Sequence, residues 1–132
     1  MELNEFFTKE ELIEIDVFGQ KFKYKPVTAG DELDWAEDYI ETKIIKQKVG
    51  NVENVEKVVR NQNLSKLSIC KLRNITEVPF SKEQIQSMAG IDKEYKDFTT
   101  DEKDLFFRKF NPKVYNSLIK IIDELGKIKK KD

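Results

Sequence analysis

Between residues 13 and 24 the chain alternates between apolar and charged positions. Ile13, Ile15 and Val17 face one way, and Glu14 and Asp16 face the other. After Phe18-Gly19-Gln20-Lys21 the alternation resumes, with Phe22, Tyr24 and then Val27 on one side and Lys21, Lys23 and Lys25 on the other. A period of two marks half-buried strands, and Gly19 is free to take the positive φ of a tight turn. This stretch predicts a β-hairpin whose acidic and basic outer faces pair across the strands. Two strands alone are marginal, so their apolar face must lie on a helical body or on a partner.

Beyond Pro26 the period changes. Thr28-Ala29-Gly30-Asp31 reads as a turn and cap, with Asp31, Glu32 and Asp34 placed for the positive end of a helix. Leu33, Ala36, Tyr39/Ile40 and Ile44 recur at helical spacing to about Lys48, with Trp35 beside the stripe and Gly50 closing the helix. Residues 51–76 read as a further helix, broken near Asn61-Gln62-Asn63, in which the polar NVENVEKVVRNQN stretch is open to being a mobile loop. Ser81-Lys82-Glu83-Gln84 and Thr99-Thr100-Asp101-Glu102 are capping boxes that start two more helices. Near the N-terminus, Thr8-Lys9-Glu10-Glu11 has the same form. Asn111-Pro112 opens a last helix with Val114, Leu118, Ile121, Leu125 and Ile128 in a narrow seam. That seam is too short for a sustained coiled coil and reads as a core-packing helix, with a helix-in-groove or dimer contact as the alternative.

The expected fold is therefore mainly α with a small N-terminal β-hairpin (α+β) and a compact body of four to six helices. One domain accounts for residues 1–132: an N-terminal segment and hairpin over 1–28, a helical body over 29–129 and a basic tail over 127–132.

Composition narrows the function classes. Apolar residues make up 39% of the chain and charged residues 37%, against about 25% charged in an average domain. The 24 basic and 25 acidic residues nearly cancel, so no global field draws the protein to nucleic acid or anionic lipid. The closing KIKKKD reads as a solvated helix end. Histidine is absent and Cys70 is the single cysteine, which removes His-based acid–base chemistry, an internal disulfide and a zinc cluster. Cys70 itself reads as a small core residue. No apolar stretch approaches the roughly 20 residues that span a bilayer, and the acidic N-terminus lacks a signal-peptide layout. A cytoplasmic protein without cofactor or metal is expected.

The carboxylates Asp31, Glu32, Asp34, Glu37 and Asp38 cluster at one helix start, where dipole complementation explains them better than a cation site. Phe6, Phe7, Phe18, Phe22, Tyr24, Trp35 and Tyr39 crowd the first third of the chain without a basic groove for stacking on bases. Core packing or a protein-binding patch is the better reading. Phe106, Phe107 and Phe110 cannot share one helix face, so Phe107 is a candidate surface anchor for a partner.

The order of these signals carries a resemblance. A hairpin ending in Y-K-P-V-T-A-G-D-E is followed by an acidic helix with Trp, and then by K-L-S-I-C-K-L-R-N-I-T-E-V-P-F-S-K-E-Q-I. An aromatic-rich helix and a closing amphipathic helix complete the layout. It resembles the small tail assembly chaperones of tailed bacteriophages and prophages. The resemblance implies a non-catalytic protein that binds the tape-measure protein and keeps its hydrophobic helices soluble until the tail tube forms. A structural virion component, such as a head–tail connector or tail-tube-associated protein, is the alternative. A small enzyme or nucleic-acid regulator fits less well. The candidate partner-binding residues are Phe22, Tyr24, Trp35, Phe107, Leu118 and Ile122, facing a tape-measure or other tail protein. Self-association also stays open, and no contact with nucleic acid or membrane is expected.

Overall fold

The first hairpin forms where the alternation places it. In the computed structural model, which describes residues 3–8 and 11–128, β1 (Ile13–Val17) pairs antiparallel with β2 (Gln20–Tyr24). Ile15 lies opposite Phe22, Glu14 opposite Lys23 and Asp16 opposite Lys21, so the charged faces meet as the pattern requires. The two-residue loop Phe18-Gly19 has positive φ at both positions, 50° and 81°, the combination that a type I′ turn demands. Phenylalanine adopts this backbone at a cost. Asp16 Oδ1 helps hold the loop by accepting from Gly19 N at 2.9 Å.

A third strand, unanticipated from the sequence, completes the sheet. Residues Ile75–Glu77 (β5) pair antiparallel with β2 in the order β1-β2-β5. Lys25 N donates to Asn74 O at 2.8 Å, and the buried Asn74 returns its Nδ2 to Lys25 O at 3.1 Å. These bonds join segments far apart in the chain and satisfy a polar side chain inside the molecule.

Five α-helices make up the rest of the body: α1 (Ala29–Tyr39), α2 (Leu64–Leu72), α3 (Lys82–Ala89), α4 (Thr100–Arg108) and α5 (Pro112–Ile128), of which α5 packs on β1. Three begin with reciprocal capping boxes, Thr28 with Asp31, Ser81 with Gln84 and Thr99 with Glu102. In each, the hydroxyl accepts from the third helical amide while that residue's side chain accepts from the cap amide. Asn111 Oδ1 accepts from Lys113 N at the start of α5, next to Pro112 in the first helical position.

Ile15, Val17, Phe22 and Tyr24 of the sheet pack under Leu118 and Ile122 of α5, together with Leu72, Ile75 and Ile85. Phe98, Phe106, Phe107 and Tyr95 fill the opposite end, with Tyr95 Oη donating to Ile75 O at 2.6 Å. The hairpin's apolar face thus lies on its own helical body. Arg73 ties the periphery together, reaching Asp38 of α1 at 2.6 Å and Asp104 of α4 through two nitrogens at 3.1 and 2.8 Å.

The mainly helical expectation fails over residues 40–62. The fold is α+β with two separate sheets: α1 stops at Tyr39, and β3 (Ile40–Val49) and β4 (Val52–Gln62) form a long antiparallel ribbon. The chemistry favours this outcome. Ile40, Thr42, Ile44, Ile45, Val49, Val52, Val55, Val58 and Val59 are β-branched and stiff in a helix. Gly50 takes φ 59° in the first central position of a two-residue loop, where a type II′ turn wants glycine. Gly50 reverses a strand and does not close a helix. Leu33, read as part of the core stripe of α1, is 70% exposed, and Trp35 is the residue that α1 buries. At the N-terminus, Leu3–Glu5 form a 3-10 turn. The capping box expected there and the basic tail fall partly on residues 9–10 and 129–132, outside the described residues.

Candidate functional site

Three of the six residues singled out from the sequence converge. Tyr24 at the end of β2, Trp35 on α1 and Ile122 on α5 form the floor of one surface groove of about 250 Å³. They meet because β2 runs out through Pro26 into the capping box of α1, while α5 crosses beneath the hairpin. Ile13, Pro26, Val27 and Leu125 supply apolar walls. The rim is charged, with Glu32 on one side and the Lys71–Asp123 ion pair at 2.7 Å on the other. Gly126 leaves the α5 wall low, and a side chain built there would meet no atom within 4 Å.

The Tyr24 hydroxyl is buried and has no hydrogen-bond partner among the described residues. Burial, reinforced by the charges of Asp31 and Asp123, pushes its pKa well above the ordinary phenol value. It therefore stays protonated and presents an O–H as well as lone pairs. Burial also works against ionisation of Asp31. The Thr28 amide, the Asn74 side chain, the charge of Lys25 and the Thr28 hydroxyl outweigh it and hold the carboxyl below its usual range. Asp31 is thus committed to its cap and to Asn74 Nδ2 at 3.0 Å. Cys70 lies behind Trp35, its thiol 4.0 Å from Trp35 O. Burial raises the thiol pKa against the pull of Arg73, so Cys70 is a packing group rather than an activated nucleophile.

The other three candidates belong to the interior. Phe22 and Phe107 are 1% exposed and Leu118 is fully buried; of these, Phe107 also lines a second groove, of about 450 Å³, with Ile69, Phe110 and Tyr115. Phe107 is the clearest correction. Core lies on two sides of α4, so Phe106 and Phe107 are both buried, and the exposed apolar residue of that helix is Leu105. Phe106, Phe107 and Phe110 stack edge-on or tilted, with each pair of ring centroids 5.2 Å apart.

The ribbon is the feature that sequence reasoning missed. It leaves the body between α1 and α2 and, among the described residues, is anchored at its base. Asn63 N donates to Tyr39 O at 2.8 Å, and Asn63 Nδ2 reaches Glu41 at 3.2 Å. Beyond that, Ile44, Ile45, Val49, Val52 and Val58 are all exposed. The available signal was the density of β-branched residues around a Gly-Asn dipeptide.

The clustered carboxylates are given separate tasks. Asp31 caps α1, Asp38 pairs with Arg73 and Glu32 sits on the groove rim, and the described residues hold no group of three or more metal-ligating side chains. No described helix is long and apolar enough to cross a membrane. Comparison of the chain with protein-family models, curated proteins and solved structures returns no match.

Proposed function

We propose that the chain is a non-catalytic phage tail assembly chaperone, which binds the tape-measure protein and keeps it soluble in the host cytoplasm during tail assembly. The observation that carries this reading is the groove floored by Tyr24, Trp35 and Ile122. Its volume falls below the roughly 300–1,000 Å³ of small-molecule sites, and it has apolar walls inside a charged rim. Such a socket suits the apolar anchor of an amphipathic helix, with the rim charges setting orientation. The tape-measure protein supplies long helices of that kind. Its apolar seam would otherwise drive aggregation.

The test is co-expression with a tape-measure protein that is insoluble alone. Soluble co-purification is expected, together with its loss on Gly126→Phe. That variant fills the groove from the exposed side of α5 and leaves the core untouched. A tape-measure protein that stays insoluble beside the intact chain would refute the reading.

A structural virion component is the second reading, and the β3–β4 ribbon favours it. An arm that extends from a small body is suited to bridging subunits of a ring. Light scattering separates the two readings. A stable ring-sized oligomer without affinity for the tape-measure protein selects the second.

A further inference from the structure

We propose that the β3–β4 ribbon is a self-association arm, in which the outer edge of β4 pairs antiparallel with β4 of a second copy around a two-fold axis at Val58. The inference does not depend on the groove.

The two edges of the ribbon differ. A bare edge strand invites pairing with another chain, and proteins commonly blunt it with lysine. Along β3 the charges are Lys43, Lys46 and Lys48 against Glu41. Along β4 two acidic residues, Glu53 and Glu56, precede two basic ones, Lys57 and Arg60. The β4 edge is therefore balanced in charge, where β3 carries an excess of lysine. Residues 55–62 of β4 also run in unbroken register with β3, from Gln47↔Val55 to Ile40↔Gln62, while the irregularity is confined to the tip. The edge offered to a second chain is regular.

A two-fold axis perpendicular to the sheet maps each side chain onto the same face, so the two chains pair at an even register sum. Centring the axis on Lys57 opposes lysine to lysine, and centring it on Glu56 opposes glutamate to glutamate. Both are unfavourable. Centring it on Val58 opposes valine to valine and sets Glu56 of each copy against Arg60 of the other. Within one ribbon, Val58 lies opposite Ile44, Glu56 opposite Lys46 and Arg60 opposite Thr42. The joined four-stranded sheet then carries an apolar row, Ile44–Val58–Val58–Ile44, between two rows of alternating charge. The exposed Ile44 and Val58, at 64% and 61%, become a shared strip.

The contact spans a few residues per copy beyond the central pair, at the low end of specific interface sizes. It gives a concentration-dependent dimer and not an obligate one.

Cross-linking of the full chain tests the register. Directly opposed residues in an antiparallel pair have Cα atoms about 4.5–5.5 Å apart, within the range a disulfide bridges. Val58→Cys is expected to form a covalent dimer under mild oxidation. Val55→Cys, opposed to Asn61 of the other copy, is expected to stay uncrosslinked. Cys70 is buried and stays silent. In sedimentation equilibrium, Arg60→Glu is expected to weaken the dimer by about tenfold or more, because both symmetric ion pairs reverse at once. Circular dichroism checks that the variants keep the fold. A chain that remains monomeric at high concentration overturns the proposal. So does a dimer that Val58→Cys fails to cross-link.

Discussion

Replacing residues 43–59 with Gly-Asn would remove nearly the whole arm and leave the fold intact. The cut joins Thr42 to Arg60, which already face each other across the ribbon, through the dipeptide order found at its native tip. The base survives, including the Asn63–Tyr39 and Asn63–Glu41 hydrogen bonds and the half-buried Ile40. The removed residues bury little apolar surface. Their cross-strand pairs and ladder hydrogen bonds lie within the arm itself and do not reach the core of the body. The arm's own contribution to the core is therefore near zero. Shortening the connection between α1 and α2 to well under half its length stabilises the fold by about 1 kcal/mol through loop-closure entropy. Urea unfolding followed by far-UV circular dichroism should show one cooperative transition, with stability within about 1 kcal/mol of the intact chain and Tm within about 5 °C. Had Ile44, Ile45 and Val58 been core residues, each would carry about 1.5–3 kcal/mol of burial. A loss above about 3 kcal/mol, or a broad transition, would refute the independence of arm and body.

Other expectations follow from the core and the groove. Leu118→Ala opens a cavity at a fully buried position between α5 and the sheet and should cost about 2–5 kcal/mol, measured by urea denaturation. Tyr24→Phe removes a buried hydroxyl without a described partner and should be neutral or raise stability by up to about 1 kcal/mol; a marked loss would reveal a hydrogen bond the fold depends on. The carboxyl of Asp31 is held below its ordinary value of 3.8, so its contribution is complete above that pH and is lost as pH falls through the lower folded value. The Tm gap between the native chain and Asp31→Asn should thus be full near neutrality and close in strong acid. A gap independent of pH would contradict this.

Where burial is one-sided, the pattern of apolar positions was readable. Ile13 to Tyr24 alternate because one face of β1 and β2 lies on the core, and the boxes at Ser81 and Thr99 announced α3 and α4 because capping is local chemistry. Residues 40–62 carried no such imprint. Both faces of the ribbon meet solvent, so Ile44 and Ile45 sit on opposite faces without a buried side to organise them, and chance spacings of three and four mimicked a helix. Strand β5 was invisible for another reason. Three residues are too few for a period, and Ile75 finds its place only by pairing with a strand some fifty positions earlier. Of the proposed contacts, Tyr24, Trp35 and Ile122 came together, whereas Phe22, Phe107 and Leu118 were drawn into the interior. Aromatic and aliphatic residues suited to a partner are equally suited to a core. Sequence spacing alone does not separate the two uses.

The Asn63–Tyr39 hydrogen bond at the base of the arm also bears on how fast the molecule folds. Closing the three-stranded sheet brings Lys25 and Asn74 together across a sequence separation of 49, a non-local contact of the kind that slows folding. The ribbon lies inside that interval, and a hairpin zips in about 1–10 μs, well ahead of long-range sheet closure. Once its base is pinned, the residues it contains no longer lengthen the path between β2 and β5. The search is then set by α1, α2 and a short bridge. The longest strands of the protein can grow, shrink or diverge in sequence with little effect on folding time, and the arm is free to vary with whatever it meets.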